Sequence, residues 1–217
     1  MSILSNCEIK CSCGETFEAE VWKAVNIFDD PDLKEVILSG RFNTVECPHC
    51  KKVFYHEHFF MYQDLKNELI AYVYPKKDQE FATSLRKKML SDFNSLSKEI
   101  EDLAEIDFEP IIYFGIEDLI DTIKNEDNSK DEIDILTFIA KRIDLELIKI
   151  KPAKARNLCI LHTIPKSKKS TGDIKKDIVS GLEQLLEYNP NLVEYENFLA
   201  RIKQNISCLD EILLHKK

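Results

Sequence analysis

No run of apolar residues in this chain approaches the roughly twenty that a membrane-spanning helix needs; one of the longest is only 111–116. The first ten residues hold neither a basic n-region nor an apolar core, so no secretory signal and no membrane association are expected. The cytoplasm is the expected compartment. Glycine is scarce, five in 217 residues, and no glycine-rich run aims backbone amides at a phosphate. Ser170-Thr171-Gly172 beside its lysines therefore makes no nucleotide loop. Internal repeats and low-complexity tracts are absent. Positive charge is short as well: 30 Lys and Arg against 39 Asp and Glu leave a net charge of -9, which disfavours non-specific binding to nucleic acid or anionic lipid. Seven cysteines cannot close a complete disulfide framework, and a reducing compartment would not keep one. Metal-bound or free thiols are the expectation.

What is present is an ordinary globular composition, 44% hydrophobic and 32% charged, enough for one large domain or two small ones. Its organising stretch opens with Cys11-Ser12-Cys13-Gly14 and closes with Cys47-Pro48-His49-Cys50-Lys51. Two cysteines one or two residues apart can both face one ion only if the backbone turns tightly around it. Pro48 helps by fixing φ, and Gly14 suits a left-handed position just after such a turn. Two pairs supply the four thiolates of a tetrahedral structural zinc site, so Cys11, Cys13, Cys47 and Cys50 are the candidate metal ligands and Zn2+ the candidate cofactor. Four thiolates leave no open coordination position, which makes the ion structural and not a source of hydroxide. A redox pair or unligated thiols are the alternative. His49, His56 and His58 are reserve ligands should Cys11 or Cys13 not ligate. Cys7, Cys159 and Cys208 are expected to pack as small apolar groups.

Along the chain, residues 1–10 read as a lead-in strand and 16–27 alternate as the return strand of a hairpin tipped by the first cysteine pair. Asp30 and Pro31 signal a helix start, with Asp30 capping, and Gly40 its end. Residues 53–61 and 68–74 are strand-like. From 76 the pattern turns helical. Leu85, Met89, Phe93, Leu96, Ile100 and Leu103 form a seam that covers its own domain or, as the alternative, joins a homodimer. Residues 109–114 are ambiguous between strand and loop. Two helices are expected over 115–126 and 131–147, parted by a polar turn at 127–130. A hairpin is expected from 147–150 and 158–164, a loop over 166–172, then a helical hairpin from 173–188 and 191–215. The expected fold is α+β: a small zinc-ribbon-like β-sheet domain (1–76) with one inserted helix, followed by a mostly helical region (77–148), with a basic segment and C-terminal helical hairpin over 149–217.

The run Cys11-Ser12-Cys13-Gly14, Phe17, Val21-Trp22, Val25-Asn26-Ile27, Asp30-Pro31-Asp32-Leu33, Ile37-Leu38-Ser39-Gly40 and Cys47-Pro48-His49-Cys50 resembles the CpXC domain, a prokaryotic family. The likeness continues through Tyr62-Gln63-Asp64 and Glu68-Leu69, and more faintly through Phe114-Gly115-Ile116-Glu117-Asp118-Leu119 to about residue 141. The resemblance implies a ribbon-like domain in which Cys11, Cys13, Cys47 and Cys50 bind a metal, and it implies no particular activity. Ser12 and Lys51 stand where proline and glycine are more typical.

Residues 149–176 carry nine lysines and arginines against one aspartate. They could neutralise phosphates, but no interleaved aromatics are there to stack bases. A solvated loop, or pairing with the acidic helices, is the plainer reading. Cys159 and His162, three apart on a presumed strand, fall on opposite faces and form no dyad. The sequence thus points to a non-catalytic interaction or scaffold protein with an unidentified protein partner. A nucleic-acid-associated ribbon protein using 149–176 is the alternative, and an enzyme assembled from ungrouped residues is a third.

Overall fold

The computed structural model describes residues 1–99, 106–169, 171–205, 207, 209 and 210. Its internal contacts divide the chain into Met1–Lys124 and Asn125–Lys217.

The first unit contains strands β1 (Ile3–Lys10), β2 (Thr16–Asn26), β3 (Thr44–Glu46), β4 (Val53–Tyr55), β5 (Phe60–Asp64), β6 (Leu69–Tyr74) and β7 (Ile111–Phe114). Five of them make one sheet in the order β1-β2-β5-β6-β7, antiparallel at β1/β2 and β5/β6 and parallel at β2/β5 and β6/β7. The fold is α+β, as expected, with a mixed sheet and six helices among the described residues.

Strand β6 reads Leu-Ile-Ala-Tyr-Val-Tyr because both its faces are covered, and a doubly buried strand has no use for alternation. Leu69, Ala71 and Val73 join Val25, Phe60 and Tyr62 in a core shared with helix α1 (Asp32–Leu38), through Leu33 and Ile37. Leu119 and Ile123, from the start of helix α3 (Glu117–Arg142), close that core. On the opposite face Ile70 and Tyr72 meet Met89 and Phe93 of helix α2 (Ala82–Glu99). Each large apolar side chain buried this way contributes about 1.5–3 kcal/mol. The seam residues Met89 and Phe93 therefore cover their own sheet. Ile100, Leu103 and the side chain of Leu96 lie outside the described residues.

Two local expectations change. The strand expected over 53–61 is two strands, β4 pairing with β3 and β5 joining the main sheet. The chain turns away at His56, whose amide bonds to the Asn43 carbonyl at 2.9 Å. Pro31, not Asp30, stands at the cap position of α1, with no side-chain cap. The Asp30 carboxylate instead accepts the Ser2 amide at 3.4 Å. Gly40 ends the helix as read, its amide and that of Arg41 bonding back to Ile37 and Val36.

The second unit holds the remainder of α3, strands β8 (Leu145–Lys149) and β9 (Thr163–Ser167), and helices α4 (Pro152–Leu158), α5 (Ile174–Tyr188) and α6 (Val193–Gln204). The two helices expected over 115–126 and 131–147 are one. Buried positions run at helical spacing straight through the polar stretch: Ile123, Glu126, Ser129, Leu136, Ala140. Two of those buried side chains are polar, which erases the apolar period a sequence reading follows. The hairpin exists, with strands shifted from 147–150 and 158–164 to those of β8 and β9, and α4 stands between them. Pro152 at the first helical position starts α4, where its missing N–H costs nothing.

Helix α5 lies so close on β9 that a Cβ at Gly181 would come within 2.7 Å of the Lys166 backbone. Asp177, 2% exposed, accepts the Thr171 amide and hydroxyl at 2.8 and 2.9 Å and anchors the loop into α5. Of the final helix expected over 191–215, α6 covers 193–204; Cys208 and residues 211–217 lie outside the described residues, as does Ser170. No helix among the described residues is long and apolar enough to cross a membrane.

Candidate metal centre

Two hairpins present the cysteines. β1 and β2 pair from Lys10↔Thr16 outward, so Cys11 to Glu15 form the hairpin tip. β3 and β4 pair from Glu46↔Val53, so Cys47 to Lys52 form the second tip. The tips close alike. Cys11 N–H bonds to the Glu15 carbonyl at 2.8 Å and Gly14 N–H returns to the Cys11 carbonyl at 3.0 Å. Cys47 N–H bonds to the Lys52 carbonyl at 2.9 Å and Lys51 N–H returns to the Cys47 carbonyl at 3.0 Å. Gly14 takes φ +97°, the conformation its position called for. The equivalent role in the second tip falls to Lys51 at φ 60°, where a side chain is disfavoured.

A small apolar cluster holds the hairpins to each other: Ile9 and Val21 from the first, Val45 from the second, with Cys7, Phe17 and Phe54 against them. Cys7 thus packs as an apolar group, as read. A polar tie adds to this. Asn43, 6% exposed and at φ 49°, accepts the Trp22 amide through Oδ1 at 2.7 Å and donates from Nδ2 to the Trp22 carbonyl at 3.0 Å. Nothing in the sequence distinguished Asn43, although asparagine at the end of a loop tolerates the left-handed region better than most residues.

The four sulfurs of Cys11, Cys13, Cys47 and Cys50 all lie within 4.8 Å of one another. Cys11 faces Cys50 and Cys13 faces Cys47, each pair at 3.7 Å. Four sulfurs each 2.3 Å from a shared tetrahedral zinc would stand about 3.8 Å apart, so the donor set fits such an ion in number and type and the two facing pairs match it in spacing. Cys11 and Cys47 are buried while Cys13 and Cys50 are exposed, which puts the cluster at the surface end of the hairpins. The Cys13 backbone N–H directed at its sulfur holds the Cys11 thiol down to about 6, against the burial that raises it. Cys13 receives the Glu15 backbone N–H, which favours its thiolate, yet burial and the surrounding thiols push it up to about 12. One thiolate forms readily here, and a second beside it is resisted unless a cation offsets the repulsion.

Among the described residues no other group of three or more His, Cys, Asp or Glu is placed to share an ion. His56 and His58 stack on each other with ring centroids 5.3 Å apart. Burial lowers both their pKa values.

Phe59, with Tyr72 and Tyr74, forms an aromatic group with centroids 4.8 to 6.0 Å apart, and Tyr72 is buried. Four of the nine basic residues of 149–176 face acids: Lys166 pairs with Glu146, Lys168 with Asp144, Lys175 with Asp210 and Arg156 with Glu126. Cys159 is neither on a strand nor buried. It caps α4 at φ 53° and is exposed, because the chain turns there toward β9. His162 makes no hydrogen bond to Cys159 and instead places Nε2 3.0 Å from Glu126 Oε2. Sequence reading passed over Glu126, since it sits 36 residues from His162 among other acids.

No curated protein matches the chain, and no solved structure does. The family model described as CpXC protein matches residues 9–135, which include all four clustered cysteines and more than half of the chain. The matched stretch takes in both hairpin tips and their four sulfurs, and the chain belongs to the CpXC family.

Proposed function

We propose that Cys11, Cys13, Cys47 and Cys50 hold one zinc ion, that this ion serves the fold, and that the protein is a non-catalytic interaction or scaffold module. The observation that carries the reading is the sulfur geometry: four thiols drawn from hairpins more than thirty residues apart, with facing pairs at 3.7 Å. Zinc would supply the charge that allows adjacent thiolates to coexist, and four sulfurs fill its tetrahedron. No position remains for a water or substrate, so the ion acts as a cross-link. Two cysteine-tipped hairpins meeting over a shared ion make a zinc-ribbon-like element. The strands β3 and β4 are only three residues each, and elements that short need a staple of this kind. Intracellular, reducing surroundings suit such a site, since its thiols stay unoxidised.

The test is elemental analysis of the protein purified without chelator, joined to stability measurements. One zinc per chain, with loss of the β1–β4 fold on metal removal and in Cys47→Ser, supports the reading. A protein that keeps its fold without metal while losing a measurable activity overturns the non-catalytic part. Isolation of the native complex with and without nuclease then separates a protein partner from a nucleic-acid one. The internal pairing of Lys166, Lys168 and Lys175 favours the protein partner.

A further inference from the structure

A second feature stands wholly within the second unit and independent of the cysteines. A cavity of about 620 Å³ opens between α3, α4 and the start of α6. Its wall is mainly apolar, with Leu136, Ile139 and Leu192 among the contributors, yet it also holds the buried Glu126 beside the half-buried Arg156 and His162. Glu126, 5% exposed, pairs through Oε1 with Arg156 and lies through Oε2 3.0 Å from His162 Nε2. A carboxylate oxygen accepts more than one hydrogen bond, so Oε2 beside His162 keeps acceptor capacity inside a buried site. Burying such a group is expensive, and apolar residues of the same volume would serve the fold as well or better. A desolvated charge cluster in a cavity wall is a binding-site signature.

Charge decides what the cavity would take. Arg156 is already matched by Glu126. Two further carboxylates, Glu132 and Glu194, line the cavity from exposed positions, and neither meets a cation among the described residues. Both lie near enough to raise the Tyr195 hydroxyl, behind the burial of that ring. An apolar recess with uncompensated negative charge at its exposed wall and a spare carboxylate acceptor inside suits a positively charged donor on an apolar body. An anionic ligand would meet Glu132 and Glu194 as like charges.

We infer that this cavity binds a small organic cation, an amine carried on an aliphatic or aromatic body. Its body packs on Leu136, Ile139 and Leu192, and its ammonium group is drawn by Glu132 and Glu194 and can donate to Glu126 Oε2.

Calorimetric or saturation-transfer titration of the full chain with hexylamine, hexanoate and 1-hexanol tests this. Hexylamine is expected to bind saturably and at least about tenfold more tightly than the other two, the size of effect that one or two partly screened charges provide. Glu126→Gln strands Arg156 and can unfold the unit, so the diagnostic variant is Glu132→Gln with Glu194→Gln, both at exposed positions. It is expected to keep its fold and lose about tenfold in hexylamine affinity. No saturable hexylamine binding, equal affinity for hexanoate or hexanol, or undiminished affinity in the double variant would each overturn the inference.

Discussion

The side chain of Asn43 completes the backbone hydrogen bonding of Trp22, accepting its amide at 2.7 Å and donating to its carbonyl at 3.0 Å. One side-chain amide thereby acts as a strand partner for β2, which leads out of the tip that holds the first cysteine pair. The residue itself leads directly into β3, which runs into the tip that holds the second. Asn43→Ala leaves two main-chain groups of the half-buried Trp22 without this partner. The expected loss is roughly 2–4 kcal/mol by chemical denaturation, together with weaker zinc retention in competition with a chromogenic chelator. Unchanged zinc affinity would mean that the hairpins are held by their apolar contacts alone.

Lys51 occupies a left-handed position that glycine takes at little cost, and its ion pair with Glu46, 3.4 Å long, is exposed. Surface pairs of that kind contribute little. Lys51→Gly is expected to stabilise the zinc-loaded protein by up to about 1 kcal/mol. Thermal denaturation with metal present reads the effect.

Acid should act on the second unit through Glu126. Burial works to raise that carboxyl, but His162 and Arg156 together hold it below the ordinary glutamate value of 4.5. A carboxyl lowered in the folded state binds its proton more readily when unfolded. Its contribution is therefore fully present above pH 4.5 and is lost as the pH falls through the lower folded value. Stability measured from pH 6 downward is expected to drop across that window. Glu126→Gln should be less stable at neutral pH and show a flatter acid limb.

What the sequence made legible follows from where the physics is local. The cysteine pairs declared themselves because a shared ion demands tight, recognisable spacings, and the β1–β2 hairpin because Phe17, Ala19 and Val21 alternate. Helix α3 reads as two because Glu126 and Ser129 are buried polar positions inside it: Glu126 meets Arg156 and His162, 30 and 36 residues on, and Ser129 turns its hydroxyl back to the Glu126 carbonyl, so neither shows as an apolar position. Helix α4 hid inside an apolar and basic stretch with Pro152 as its one signal. Asn43 was silent for the same reason as Glu126: its importance lies in what it touches 21 residues away.

Gly181 gives a control confined to the second unit. A side chain there meets the Lys166 backbone at 2.7 to 2.8 Å, and backbone cannot step aside as a flexible side chain can. Gly181→Val is expected to destabilise by roughly 1–3 kcal/mol through overpacking, read by thermal denaturation. Zinc content should stay the same, since every cysteine of the cluster lies in the first unit.

One ion held by four sulfurs is the centre of the proposed function. X-ray absorption at the zinc edge on protein purified with its native metal addresses it directly. The predicted result is a single shell of four sulfurs at about 2.3 Å. A shell containing nitrogen or oxygen at about 2.0 Å, or no zinc edge in stoichiometric amount, would contradict it.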